Sequence, residues 1–452
     1  MTSETQATDR TADAEVVRFT SELIRIDTTN HGGGQGWERP AAEYVAARLG
    51  EAGLSPRILE SAPGRANVVA RVRGNDPDAP ALLVHGHLDV VPADPELWSA
   101  PPFSGEVRDG TVFGRGAVDM KNTDAMLLAL VRSWARTGTR PRRDIVLAFT
   151  ADEEDSAAYG AEWLVREHPS LFSDCAAGVS ESGAFTFHAR TVSGEPVRLY
   201  PVGAGERGSA WLRLTASGTA GHGSKANDDN AVGALAAAVT RIDSHAWPVR
   251  LTPVTRAALA GIGDAVGRPV DPDDAGFDPQ RDLESVLADF GPAASLVRST
   301  LRNSTNPTVL EAGSKVNVIP SRASALVDGR ILPGCAEEFH TTLDELTGDR
   351  VEWEYTHRSP ALLSPVDSPV FAAMREALLA HDPDAHVVPV CLSGGTDAKQ
   401  FSELGIPGYG FSPLRLPPSL DYGALFHGVD ERVPVDSLTF GVRVLDRFLT
   451  TV

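Results

Sequence analysis

"ALLVHGHLDVVP", residues 81–92, runs from an apolar segment straight into His85, His87 and Asp89. Alternate residues of a strand share a face, so these three polar side chains can project together. A strand that simply emerges into solvent would show the same residues, and the rest of the chain has to decide. Three further stretches put polar groups where a strand should hand over to a loop. They are "FGRGAVDMKN" (113–122) with Asp119, "LAFTADEED" (147–155) with Asp152, Glu153, Glu154 and Asp155, and "GVSESG" (178–183) with Glu181. In open α/β sheets, ligand sites lie beyond the carboxyl ends of the strands. The spacing predicts that all four clusters sit at such ends.

Working outward, helical spacing of apolar residues covers 14–26, 39–54, 121–138 and 159–168, and short apolar runs cover 67–72, 81–86, 144–150 and 176–181. Strands alternating with helices predict an α/β sheet covered on both faces. The pattern changes near residue 205. Residues 209–218 and 314–332 alternate like half-exposed strands, and 230–242 and 335–346 read as helices. A second, α+β unit is therefore expected over 206–360, with a Pro- and Asp-rich insertion near 247–308. The first domain would be discontinuous, made of 1–205 and 361–452. Residues 1–12 are polar and expected to fray.

With 452 residues, two domains are a reasonable expectation. Apolar content of 42% with 23% charged residues fits a globular chain. A formal charge of −20 argues against a nucleic-acid or anionic-membrane partner. Cys175, Cys335 and Cys391 are far apart and form no CxxC pair, so neither a disulfide framework nor a thiolate metal site is indicated. No apolar run approaches the ~18 residues of a membrane span, and no signal-peptide core is evident. A cytoplasmic location is expected.

If this chain binds metal, its ligands must be His and carboxylate. The four-carboxylate run 152–155 would by itself be read as a solvated turn, and His87 alone as a structural histidine. Their convergence at successive strand ends shifts the reading towards zinc, with cobalt or manganese as substitutes. A two-metal hydrolytic site needs a carboxylate between ions about 3.5–4 Å apart, and a base for the water. Glu153 and Glu154 are neighbours, so one could face metal and the other water. Asp89 could orient His87, and a last histidine could come from His427 in "LFHGVDERVP" (425–434).

At these residues the chain resembles the zinc-dependent aminoacylase and carboxypeptidase family, which includes glutamate carboxypeptidases, dipeptidases and succinyl-diaminopimelate desuccinylase. "HGHLDVVP", "GRGAVDMK", "ADEE", "SGTAGHGS", "NVIPSRASALVDGR", "SGGTDA" and "FHGVDER" come in the family's order and span nearly the whole chain. The resemblance implies a zinc-peptidase-like catalytic domain with a mixed sheet flanked by helices, and an inserted α+β lid that pairs with a second lid in a homodimer. It implies two Zn2+ per chain. His87, Asp119 and Glu181 would hold one ion; Glu154, His427 and the shared Asp119 would hold the other. Glu153 would be the general base and Asp89 the orienter of His87. His222 would stabilise the oxyanion from the lid, in the neighbouring subunit's site. Asn317, Arg330 and Thr396 match positions used around the substrate, often its free carboxylate. His85 has no family role and reads as structural.

The implied reaction is hydrolysis of an amide bond in a small peptide or N-acyl amino acid with a free carboxylate. The rival readings are a catalytically silent peptide- or metal-binding homologue, a desuccinylase-like deacylase and, more remotely, a phosphoesterase. Retention of Glu153 argues against the silent homologue, and the lack of a phosphate-cradling Gly-Lys loop against the phosphoesterase. Glu206 stands where a desuccinylase would be expected to carry a second arginine, which disfavours a dicarboxylate substrate.

Overall fold

The computed structural model describes residues 9–452, with side chains from residue 11. Residues 9–12 already belong to the helix Asp9–Ile24; the fraying expected of residues 1–8 lies outside the described part. The strand that carries the opening motif, Ala81–His87, is buried along its whole length. It runs parallel to Ile145–Thr150 on one side and to Cys175–Ser180 on the other. Leu82 and Val84 pack into the core under the helices Asp9–Ile24, Lys121–Thr137 and Val435–Thr451. Ala81 and Leu83 pack on the opposite face, against Leu164 and Phe401. Burial on both faces is why this strand reads as a continuous apolar run rather than an alternating one.

Ten strands form the large sheet, and it is mixed. Arg65–Val72 is antiparallel to Ile145–Thr150, while Gly408–Gly410 is parallel to Cys175–Ser180. Beyond it lies the long strand Pro196–Glu206, to which His386–Leu392 adds in parallel. Gly86, between the two histidines, has a packing reason. A Cβ there would meet the Asp124 carboxylate of helix Lys121–Thr137 at 2.3 Å, so the glycine lets that helix close on the strand end.

The second unit is a four-stranded antiparallel sheet in the order Ser304–Ala312, Arg322–Ile331, Gly208–Ser217, Val351–Ser359. Helices Ala231–Ser244 and Ala336–Thr347 bury Leu235, Phe339 and Leu343 against it. The alternating stretch 314–332 is broken into two pieces. Val318–Ile319 pairs with Gly221–His222 in a separate small sheet, and only Arg322–Ile331 joins the four-stranded one.

Two expectations need correction. Residues 247–308 do not simply lengthen the lid. Helices Pro253–Val266 and Pro279–Phe290 share a core with Leu199, Val388 and Val390 of the large sheet. Apolar helix faces at Leu259, Ile262 and Leu287 found their cover there, which a Pro- and Asp-rich composition had obscured. Asp119, second, does not end a strand of the large sheet. It immediately precedes helix Lys121–Thr137, and the nearby strand Thr111–Phe113 belongs to a three-stranded sheet with Arg432–Pro434.

Candidate metal centre

Three strand ends and two loops deliver the candidate ligands to one place. His87 closes its strand; Glu153 and Glu154 follow Ile145–Thr150; Glu181 follows Cys175–Ser180. His87 Nε2 lies 2.9 Å from Asp119 Oδ1 and 3.8 Å from Glu181 Oε1. On the far side of Asp119, His427 Nε2 lies 3.3 Å from Oδ2 and 3.0 Å from Glu154 Oε2. Asp119 thus offers one oxygen to each histidine. Ligand atoms of His87, Asp119 and Glu154 fall within 4.8 Å of one another, as do those of His87, Glu153 and Glu181. These two groups share His87, and Asp119 reaches on to His427, so the donors together could hold two cations.

The electrostatics point the same way. Burial pushes the Glu181 carboxyl up to about 8, and nearby Asp119 adds to it. Glu153 is held well above the carboxylate range, first by burial and then by the charges of Glu181 and Glu154. His427, drawn by Asp119 and Glu154, is raised to about 10. Packed carboxylates of this kind cannot all ionise without positive charge among them. Glu154 Oε1 is buried without a hydrogen-bond partner. An imidazole and carboxylate donor set with an orphaned oxygen fits a divalent cation such as zinc.

A second ring of residues locks the ligands. His87 Nδ1 is 3.0 Å from the Asp89 main-chain oxygen, and 3.6 Å from its carboxylate. The Asp89 carboxylate itself accepts the backbone N–H groups of Glu153 (3.2 Å) and Glu154 (3.1 Å), and the Asn30 amide at 2.9 Å. Asp89 therefore fixes the acidic loop as well as the histidine. Asn30 also donates to Asp152, and buried Arg65 joins Asp152 to Glu38. Glu431 accepts from the backbone of Gly116, Val118 and Asp119 and from Arg115, tying the His427 loop to the Asp119 loop. Three non-glycine residues in the left-handed region sit on this frame: Asp152 (φ 66°), Ser182 (φ 62°) and His427 (φ 57°). Such backbone costs about 1–3 kcal/mol per residue and persists only where surrounding contacts impose it.

Residues 83–451 match the model of Peptidase family M20/M25/M40. The chain belongs to that family. It is a metal-dependent hydrolase acting on amide bonds. It is 30% identical over 388 residues to the N-fatty-acyl-amino acid synthase/hydrolase PM20D1 of Homo sapiens, covering 83% of this chain and 74% of that one. Against aminoacylase-1 of Sus scrofa the identity is 27% over 417 residues, 91% of this chain and 89% of the other. Among solved structures, the M20 family metallo-carboxypeptidase Sso-CP2 from Sulfolobus solfataricus shares the fold. Its TM-score is 0.68 at 18% identity, over 96% of this chain and 98% of that one. The di-peptidase Dug1p from Saccharomyces cerevisiae gives 0.67 at 17%, over 100% and 98%.

The remaining residues singled out in this M20 chain are not among the grouped donors. His222 is exposed on the small lid sheet, where its Nδ1 meets Ser224 Oγ at 2.9 Å. Asn317 lies beside it, its carbonyl accepting from Gly223 N at 2.9 Å. Arg330 on strand Arg322–Ile331 is already engaged, donating from Nε (2.7 Å) and Nη2 (3.0 Å) to Asp328 and from Nη1 to Ser209. Thr396 gives its hydroxyl to Glu206 at 2.7 Å and its N–H to the same carboxylate at 3.0 Å. That is where Glu206, buried, spends its acceptors: it holds the "SGGTDA" loop. His85 is buried on Phe401 with ring centroids 4.9 Å apart, and burial lowers it to about 3, so it stays neutral.

Proposed function

We propose that this chain uses two zinc ions to hydrolyse the amide bond of a small peptide or N-acyl amino acid that carries a free carboxylate. The observation that carries the reading is the convergence of buried His87, Asp119 and Glu181 with Glu153, Glu154 and the more exposed His427 at one site. His87, Asp119 and Glu181 would hold one ion, and Glu154, His427 and the shared Asp119 the other. Bound metal supplies Lewis acidity, lowering the pKa of water to about 7 and polarising the substrate carbonyl.

Glu153 takes the proton of the attacking water and returns it to the leaving amine. Its main chain is pinned to Asp89, and its carboxyl, raised by burial, suits that exchange better than an ordinary solvated glutamate. His222 and Asn317 reach the substrate from the lid, and His222 does so across a homodimer, which the exposed apolar side chains Val309, Leu310 and Val318 of the lid favour. Arg330 takes the substrate carboxylate by exchanging it for Asp328, a like-for-like bidentate swap. The three free cysteines suit a reducing compartment, the cytoplasm; finding the protein in an oxidising one would defeat that placement. Among the described residues, no helix is long and apolar enough to cross a membrane.

The experiment is an assay of zinc-loaded protein on a dipeptide, an N-acetyl amino acid, the same compound with its carboxylate amidated, and a phosphate ester. Cleavage of the first two is expected. The amidated compound should be cleaved more slowly, because Arg330 then keeps Asp328 and gains no contact with the substrate. Cleavage of the phosphate ester alone, or equal rates on acid and amide, would contradict the reading.

A further inference from the structure

Beside the metal centre lies a cavity of about 310 Å3 walled by Phe185, Leu392 and Phe426 and floored by the loop of Gly394 and Gly395. It adjoins the centre through the chain itself. Ser182, in its wall, follows Glu181, and Phe426 precedes His427. None of the side chains lining it is charged. Its aromatic wall is well supported: Phe185 packs on Tyr422 at 5.0 Å and on Phe426 at 6.1 Å, and Tyr422 meets Phe426 edge-on at 5.5 Å. The size is at the low end of the roughly 300–1,000 Å3 found for whole-ligand sites, and suits half a molecule.

The two adjacent glycines of the loop differ in what holds them. At Gly395 a Cβ would lie 2.3 Å from Lys399 Nζ, so a side chain there would collide with its own fold. At Gly394 a Cβ meets nothing within 4 Å, and φ lies outside the left-handed region. Neither backbone conformation nor packing within this chain requires glycine at 394. What its missing side chain leaves is room.

We propose that this cavity receives the apolar acyl half of an N-acyl amino acid, and that Gly394 and Phe185 set how long or bulky that group can be. The assignment rests on the amide-hydrolase reading above. A substrate with a free carboxylate has one half that needs a cation and one that does not. Arg330 stands on a strand outside the cavity lining, and Thr396, which does line it, gives its hydroxyl and N–H to Glu206; the cavity thus offers a carboxylate no cation, and the uncharged acyl group is the half that fits. Each methylene buried there strengthens transition-state binding by up to about fourfold, until the cavity is full.

The test uses the zinc-loaded full chain and two series: one amino acid carrying acyl groups of increasing length from acetyl to dodecanoyl, and N-acetyl derivatives of different amino acids. For the wild type, kcat/KM should climb with acyl length and then level off. Gly394→Val should bring the levelling-off to shorter chains and cut the octanoyl-to-acetyl ratio by roughly tenfold or more. Phe185→Leu should move it to longer chains. If the valine variant does not fold, Gly394→Ala makes the same change on a smaller scale. Length profiles unmoved by both variants, or shifts that track the amino-acid series instead, would overturn the cavity assignment while leaving the hydrolase reading standing. A wild type that cleaves no member of either series would instead overturn the hydrolase reading, and the cavity assignment with it.

Discussion

The centre and the lid treat their polar residues in opposite ways. At the centre, His87, Asp119, Glu154 and His427 contact one another, and Asp89 and Glu431 fasten the backbone that carries them. On the lid, His222 and Asn317 stand exposed, their contacts confined to the small sheet they belong to. The buried charges of His87, Asp119 and Glu154 must be satisfied where they stand, and each has a partner within this chain. Exposed groups carry no such obligation, and their work depends on something brought to them. The difference separates side chains held in one interlocked cluster from side chains left open to further contact.

The sharpest way to probe the first half is Glu153→Gln. The variant should keep its metal, because Glu153 is assigned as base and not as ligand, yet lose activity by about 10²–10⁴. Glu154→Gln should lose metal instead. Metal content measured beside kcat for both variants checks this, and swapped outcomes would reverse the two assignments.

Next in size is Glu431→Gln, which keeps the shape but leaves buried Arg115 without its counter-charge. Breaking such a pair costs about 3–5 kcal/mol of stability, read by denaturant unfolding. Glu431→Ala, which also removes the acceptor of the Gly116, Val118 and Asp119 N–H groups, should in addition weaken metal retention by roughly 10–100-fold. Normal metal affinity in a destabilised protein would make Glu431 a fold residue only, and blur the contrast between centre and lid.

The lid half is tested by mixing. His222→Ala and Glu153→Ala, each inactive alone, are combined under conditions that allow subunit exchange. A mixed dimer holds one site lacking both groups and one lacking neither, so activity should return, up to about a quarter of wild type if subunits mix at random and each site acts alone. Continued silence, or a fully active monomer, would place His222 in its own chain's site and remove the need for a partner.

Much of the centre was legible in the sequence because strand ends leave a signature: an apolar run that stops on His87, on Glu153 and Glu154, or on Glu181. The lid's alternating strands and small-residue helix were legible for the same reason of period. Other features gave no such sign. Arg65, Glu38 and Asn30 do their work through partners 27 to 122 residues away, and nothing local marks them. Glu431 stood in the quoted "FHGVDER", but its three backbone partners became visible only in the fold. Thr396 and Arg330 are each engaged by a carboxylate, Glu206 and Asp328, and local spacing shows neither pairing. The strands Pro196–Glu206 and His386–Leu392 lacked a clean alternation because helix Pro253–Val266 covers them, and that cover comes from the segment expected to extend the lid.

Asp119 is the one carboxylate proposed to join two cations in a site built from this chain alone. Elemental analysis of zinc-loaded protein after removal of free metal tests it most directly, on the wild type and on Asp119→Ala. Close to two zinc ions per chain are expected for the wild type, with loss from both positions in the variant. A wild type that binds none, or a variant that keeps its full complement, would contradict it.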